Sequence, residues 1–189
     1  MNPSVLKHAC YVITLFLTLS ATAYAQQQKD AASRADSTKG KAVRADWARK
    51  IPEPIGWIND YTFLFSNEEV RQLDSLVRNY EKNTTIEIVV LTIDSTRTNH
   101  KDFDEFTLLI ANTWKVGKED KKNGIFITIS ADLRRMRVHN GYGIEKLLSD
   151  QETKTIVDSV FIPMYKEGKY FEGTKKGIIA IMDAIASKN

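Results

Sequence analysis

From Gly56 onward the apolar residues recur in two periods, and the switches between them mark the elements. Trp57 and Ile58 predict a short strand that stops at Asn59-Asp60. Ser66-Asn67-Glu68-Glu69 is a capping box, and Val70, Leu73, Leu76, Val77 and Tyr80 then fall on one helical face. Thr85 to Ile93 is β-branched and apolar, which predicts a central strand. Asp102 is placed to cap a second helix, with Phe103, Phe106, Ile110, Thr113 and Trp114 along one side. Gly124 to Ile129 is nearly all apolar, as expected of a strand covered on both faces. In Arg134 to His139, Met136 and Val138 alternate with Arg135, Arg137 and His139, predicting an edge strand with one face in the core and one in solvent. Asn140-Gly141-Tyr142-Gly143 turns the chain into a helix. A second capping box, Ser149 to Glu152, starts another helix that buries Ile156, Val157 and Val160 and breaks near Pro163. The last, Gly173 to Ser187, presents Ile178, Ile181, Met182 and Ile185.

Strand and helix alternation with short connections implies parallel strands joined by right-handed crossovers. The fold class is therefore α/β: a three-layer α/β/α sandwich whose mostly parallel central sheet carries one antiparallel edge strand.

The chain before this domain differs in kind. Lys7 and His8, the apolar run Tyr11 to Leu19 and the small residues of Ala23-Tyr24-Ala25 read as a signal peptide over residues 1–25. The mature protein is then periplasmic or secreted, touching membrane only peripherally or through an uncleaved signal segment. The single Cys10 lies in that segment, so a mature chain has no disulfide, thiolate ligand or cysteine nucleophile. Residues 26–55 lack periodicity, end in Pro52 and Pro54, and read as a disordered linker. Its seven basic residues (Lys29, Arg34, Lys39, Lys41, Arg44, Arg49, Lys50) outnumber four acidic ones (Asp30, Asp36, Asp46, Glu53). The chain's net charge of +3 thus belongs to the linker, and the domain, residues 56–189, is close to neutral. That balance argues against a nucleic-acid partner.

In open sheets ligands bind beyond the carboxyl ends of the parallel strands. Asp60, Asp94 and Asp132 each follow a predicted parallel strand, so these carboxylates belong to one rim. Asp120 lies in the loop Lys115 to Asn123, which enters its strand from the opposite end and joins the rim only by folding across. Oxygen donors with no His or Cys cluster favour a hard cation, Ca2+ or Mg2+. The run Asp94-Ser95-Thr96-Arg97-Thr98 resembles the first ligand group of metal-ion-dependent adhesion sites, although such runs also form ordinary turns. Arg134 and Arg137 are candidates to contact an anion or a partner, or to pair with Glu145. Gly141 and Gly143 suit a tight strand-to-helix turn, and a dinucleotide fingerprint is incomplete because Lys146 stands at the third glycine position. His139 and His100 read as surface residues, and Trp57 and Trp114 as core.

A series of short motifs, in order, is similar to the TPM domain family. They are Ile58-Asn59-Asp60 with Leu64 to Ser66, Trp114-Lys115-Val116-Gly117, Asn123-Gly124-Ile125-Phe126, Asp132 to Val138, Gly141-Tyr142-Gly143-Ile144-Glu145, Ile162-Pro163, and Gly168 to Gly173. The resemblance spans Gly56 to Ala186 and implies the same α/β/α sandwich, a lumenal or extracytoplasmic location and divalent-cation binding in some members. It also implies an acid phosphatase activity in one branch and accessory roles in membrane-complex repair or receptor function. Two departures stand out: Lys122 replaces the acidic residue usual before Asn-Gly, and the resemblance implies a following transmembrane helix and Gly-rich tail in many bacterial members, whereas this chain stops at Asn189. Two functions follow as expectations. One is an exported cation-binding accessory domain that assists maintenance or assembly of an envelope or membrane protein. The alternative is a metal-assisted acid phosphatase on phosphomonoesters, for which no Cys before an Arg loop, Asp-x-Asp after a strand, or Arg-His-Gly is present.

Overall fold

The structure is a computed structural model that describes residues 26, 28, 29, 33, 40 and 43–188. The signal segment lies outside the described residues. The chain divides into two compact units, residues 1–50 and 51–189. In the first, residues 43–50 are helical where the sequence predicts an unstructured linker. The run holds two alanines among charged helix formers, and Asp46 pairs at 3.2 Å with both Arg49 and Lys50, three and four residues on.

In the second unit, β1 (Ile58–Asp60), β2 (Glu87–Thr92), β3 (Gly124–Ser130) and β4 (Arg135–Asn140) form a sheet in that spatial order. β1 and β3 run parallel to β2, and β4 is antiparallel to β3. The helices are α1 (Asn67–Thr84), α2 (Phe103–Trp114), α3 (Tyr142–Glu145), α4 (Asp150–Ile156), α5 (Ile162–Lys166) and α6 (Tyr170–Ala186). Both capping boxes form, from Ser66 with Glu69 and from Ser149 with Glu152. Asp102 stands at the start of α2 but makes no capping bond, because its carboxylate accepts the Asn99 side-chain amide at 2.8 Å.

The three layers follow from the register. Ile58, Val90, Ile127 and Val138 are paired neighbours across the sheet and pack with Leu73 and Val77 of α1 and Ile178 and Ile181 of α6. Phe126 points to the other face, where Trp114 of α2 meets it edge-on at 5.6 Å. The sheet advances in one direction while α1 and α2 cross on opposite faces, so their crossovers have opposite hands. The expectation of two right-handed crossovers holds for one only. β2 and β3 are apolar on both faces, so the sequence pattern carries no preference for either.

The charged side of β4 is partly covered as well, with Arg137 left exposed. Arg135 reaches Asp104 of α2 at 2.6 Å, and His139 Nε2 lies 2.9 Å from Thr107 Oγ1. Burial therefore pushes the His139 imidazole down to about 4, helped by the charge of Arg137 and opposed by Asp104. His139 is thus no surface residue. Pro163 does not break the chain either. The helix runs from α4 through a π turn, Val157–Phe161, into α5, and the Ile162 amide donates five residues back to the Val157 carbonyl. Pro163 cannot donate to the Ser159 carbonyl and would clash with it in a regular helix, and the wider turn relieves both.

The amino ends of β2 and β3 are held by close backbone approach. A Cβ on Gly143 would stand 2.1 Å from the Lys121 carbonyl oxygen, and one on Gly124 would stand 2.2 Å from that of Val116. Gly143 donates to the Lys122 carbonyl at 2.9 Å and Gly141 to that of Gly124 at 2.8 Å. These glycines serve contact rather than positive φ, since Gly141 has φ −72°.

Candidate functional site

Asp60, Asp94 and Asp132 stand at the carboxyl ends of β1, β2 and β3, as the sequence predicts. Each of the three accepts hydrogen bonds from the protein through at least one oxygen. Asp60 Oδ1 accepts from the Leu64 amide (3.0 Å) and the Thr92 hydroxyl (2.5 Å), and Oδ2 from the Phe65 amide (2.8 Å). Asp94 Oδ1 accepts from the amide and hydroxyl of Thr96, at 3.1 and 2.5 Å. Asp132 ties two loops together: Oδ2 takes the Ser95 amide at 2.8 Å, and Oδ1 takes the Ser130 hydroxyl at 2.7 Å and the Leu133 amide at 2.8 Å. Burial works to raise its pKa, but hydrogen bonds from Ser95, Ser130 and Leu133 prevail and hold the carboxyl down at about 2.

Asp120 does not join them. Gly117 donates to Glu87 Oε2 at 3.1 Å and Lys118 reaches Glu81 at 2.8 Å, which fixes the Lys115–Asn123 loop at the amino ends of the strands. Asp120 is exposed there, at the opposite rim. Among the described residues no three His, Cys, Asp or Glu side chains gather as a metal site would require.

The loop organised by Asp60 has an unusual tip: Phe63 is 91% exposed and has φ +53°. Beside it Tyr61 donates to the Glu53 carbonyl, and Arg97 lies over the Tyr61 ring at 5.3 Å. With Trp114 Nε1 donating to the Pro52 carbonyl at 2.9 Å, residues 52 and 53 are fastened to the domain rather than to a linker. Trp57 and Trp114 are half-buried, not core: Trp57 Nε1 donates to Glu81 at 2.9 Å and Arg78 covers its ring at 4.1 Å.

A second feature opens next to this rim. A cavity of about 450 Å³ lies between the start of β4 and α5, with Met136, Ile162, Tyr165 and Tyr170 as its apolar wall and Arg134 and Lys166 among its lining. Both cations are exposed, and among the described residues neither has an ion-pair partner. Tyr165 turns its hydroxyl inward to Thr174 at 2.8 Å, and burial pushes the phenol well above its ordinary range, so the ring is a neutral wall. Arg137 does not share this site. It faces α2, 3.9 Å from Asp104, and does not pair with Glu145. Lys166, Tyr165 and Tyr170 escaped the sequence reading because each lies far along the chain from β4, beyond two intervening helices. The signal available was their position between Ile162-Pro163 and Gly173, the motifs that carry the resemblance.

A family model described as TPM domain matches residues 58–184. Among solved structures, the chain is similar to the N-terminal domain of a protein from P. gingivalis, with 26% identity and a TM-score of 0.62, over 74% of this chain and 87% of that one. It is also similar in fold to the BA42 protein from the psychrophilic bacterium Bizionia argentinensis, with 23% identity and a TM-score of 0.57, over 67% of this chain and 85% of that one. No curated protein matches the chain.

Proposed function

The chain belongs to the TPM domain family, and on that premise we propose that its domain is an exported accessory module that docks on an envelope protein and performs no turnover. The observation that carries this reading is the cavity beside β4. Its apolar wall and two unpaired cations form a surface suited to holding a partner group. The signal peptide read from residues 1–25 supports the extracytoplasmic setting. Among the described residues no helix is long and apolar enough to cross a membrane.

The phosphatase alternative asks the Asp60, Asp94 and Asp132 rim to hold a cation that activates water. Those carboxylates already accept from amides and hydroxyls of the same rim. The test is phosphomonoester hydrolysis by the chain from Gln26 onward, with calcium or magnesium, run beside thermal unfolding of the same samples. No turnover is expected. Turnover removed by chelator and by Asp60→Asn would overturn the accessory reading. A calcium-dependent rise in midpoint that Asp94→Asn abolishes would add a cation to the accessory module, since a ligand of the native state stabilises it.

A further inference from the structure

We propose that β4 accepts the C-terminal tail of an envelope protein as an added antiparallel strand, with the tail's terminal carboxylate between Arg134 and Lys166. This names the partner's binding segment and rests on the accessory reading above.

The first argument is the state of the sheet edge. β4 is the outermost strand, and the bond from the Gly141 amide to the Gly124 carbonyl fixes the phase of its ladder. With that pair hydrogen-bonded, His139, Arg137 and Arg135 exchange bonds with Phe126, Thr128 and Ser130. Met136, Val138 and Asn140 must then aim their peptide N–H and C=O groups away from the sheet. Among the described residues no other element pairs with that edge. A row of such groups is a template for an incoming strand.

The second argument is the groove beside that edge. Met136 and Val138 form one wall, and Thr153 and Val157 of α4 and the π turn form the other around a second cavity of about 340 Å³. Met136 belongs to this cavity and to the larger one, so the two hollows follow one another along β4. An extended peptide puts alternate side chains on one face, which is the spacing two successive hollows can receive.

The third argument is charge, and it selects the direction and the end of the peptide. An antiparallel strand would enter beside Asn140 and finish beside Arg135, delivering its C-terminus to Arg134 and Lys166. A parallel strand would bring an N-terminal ammonium to the same two cations and be repelled. The 450 Å³ hollow, walled by Met136, Ile162, Tyr165 and Tyr170, then receives the last side chain, which must be large and apolar. The far end is close to neutral, since Lys154 and Asp158 pair with each other there and Arg137 and Asp150 add one charge of each sign, and it sets no charge requirement.

The test titrates the chain from Gln26 onward with three short Thr- and Val-rich peptides that end in Leu, Phe or Val. Each is used as the free acid and as the C-terminal amide, and binding is followed through backbone amide NMR shifts. At least one free acid should bind with shifts concentrated at Met136, Val138 and Arg134, and its amide should bind about tenfold more weakly or worse. Arg134→Ala and Lys166→Ala, both exposed and expected to fold unchanged, should give a similar loss with an unaltered unfolding midpoint. Equal binding of acid and amide, shifts centred away from β4, or no binding by any peptide would overturn the inference. The accessory reading falls instead to phosphomonoester turnover, so the two failures are distinct.

Discussion

Replacing Gly177 by Ala sets two known effects against each other inside α6. Ala is favoured over Gly by about 1 kcal/mol in a helix interior. The new Cβ, however, would stand 2.1, 2.3 and 2.4 Å from Cζ, Cε2 and Cε1 of Phe161. Ordinary carbon contact is about 3.5–4 Å, so the ring or the helix must retreat by more than 1 Å. The ring has no free space to enter, because Phe161 is fully buried and lies against Tyr165 at 6.0 Å between centroids. Overpacking costs about 1–3 kcal/mol for an added methylene in a packed core, and this contact belongs at the upper end. The expected net loss is about 2 kcal/mol, on the order of 5–10 °C in Tm for a domain of this size. Urea unfolding should show a lower midpoint with an unchanged m value. Phe161→Leu removes the obstructing ring, and on that background Gly177→Ala should be neutral or stabilising, giving a coupling of about 2 kcal/mol. A Gly177→Ala protein more stable than the parent, with no coupling to Phe161→Leu, would refute the packing of the π turn on α6.

At the amino rim, Gly143→Ala meets backbone rather than a side chain, 2.1 Å from the Lys121 carbonyl, and threatens the bond from Gly143 to Lys122. It should lower stability by about 3 kcal/mol in urea unfolding. Acid should act through two groups in different windows. His139, held neutral down to about 4, is stabilising above its unfolded pKa of about 6.5, and that contribution falls away as pH drops from about 6.5 through 4. Unfolding midpoints between pH 7 and pH 4 should therefore decline less in His139→Gln, and NMR should show the ring neutral at pH 5. Asp132, held down at about 2, contributes above its unfolded pKa of about 3.9 and loses that contribution as pH falls through 2. It is exposed, so screening reduces the effect to about 1 kcal/mol, and Asp132→Asn should flatten the loss of stability between pH 4 and pH 2.

Local chemistry was readable in the sequence wherever a few neighbouring residues decide the structure. The boxes Ser66 to Glu69 and Ser149 to Glu152 formed because cap and partner lie within one turn. The order of strands followed from periodicity and from the run of β-branched residues in β2 and β3. What was hidden depended on partners distant in the chain. Alternating charge on β4 reads as a solvent face, and Arg137 is exposed, yet Asp104 and Thr107 of α2 take up Arg135 and His139. Aspartates at three strand ends read as a shared rim, yet the distant donors that two of them meet, the Thr92 hydroxyl at Asp60 and the Ser95 amide at Asp132, are supplied only by the fold. The cavity was hidden for the same reason, since one wall is β4 and the other is helix far downstream.

The π turn Val157–Phe161 is also a statement about chain length. It holds one residue more than a regular helix needs, and each residue of helix carries a rotation of about 100° and a rise of about 1.5 Å. Deleting a single residue there would restore ordinary winding and swing everything from Ile162 to Lys166 around the helix axis. Tyr165 would leave Thr174, and Lys166 would leave the hollow it lines, while the sheet stayed as it was. A change of one residue in length at this point therefore alters the groove wall more than most substitutions within it. Among relatives of this fold, the count of residues between Ser149 and Gly168 becomes the number that sets which face of the helix looks onto β4.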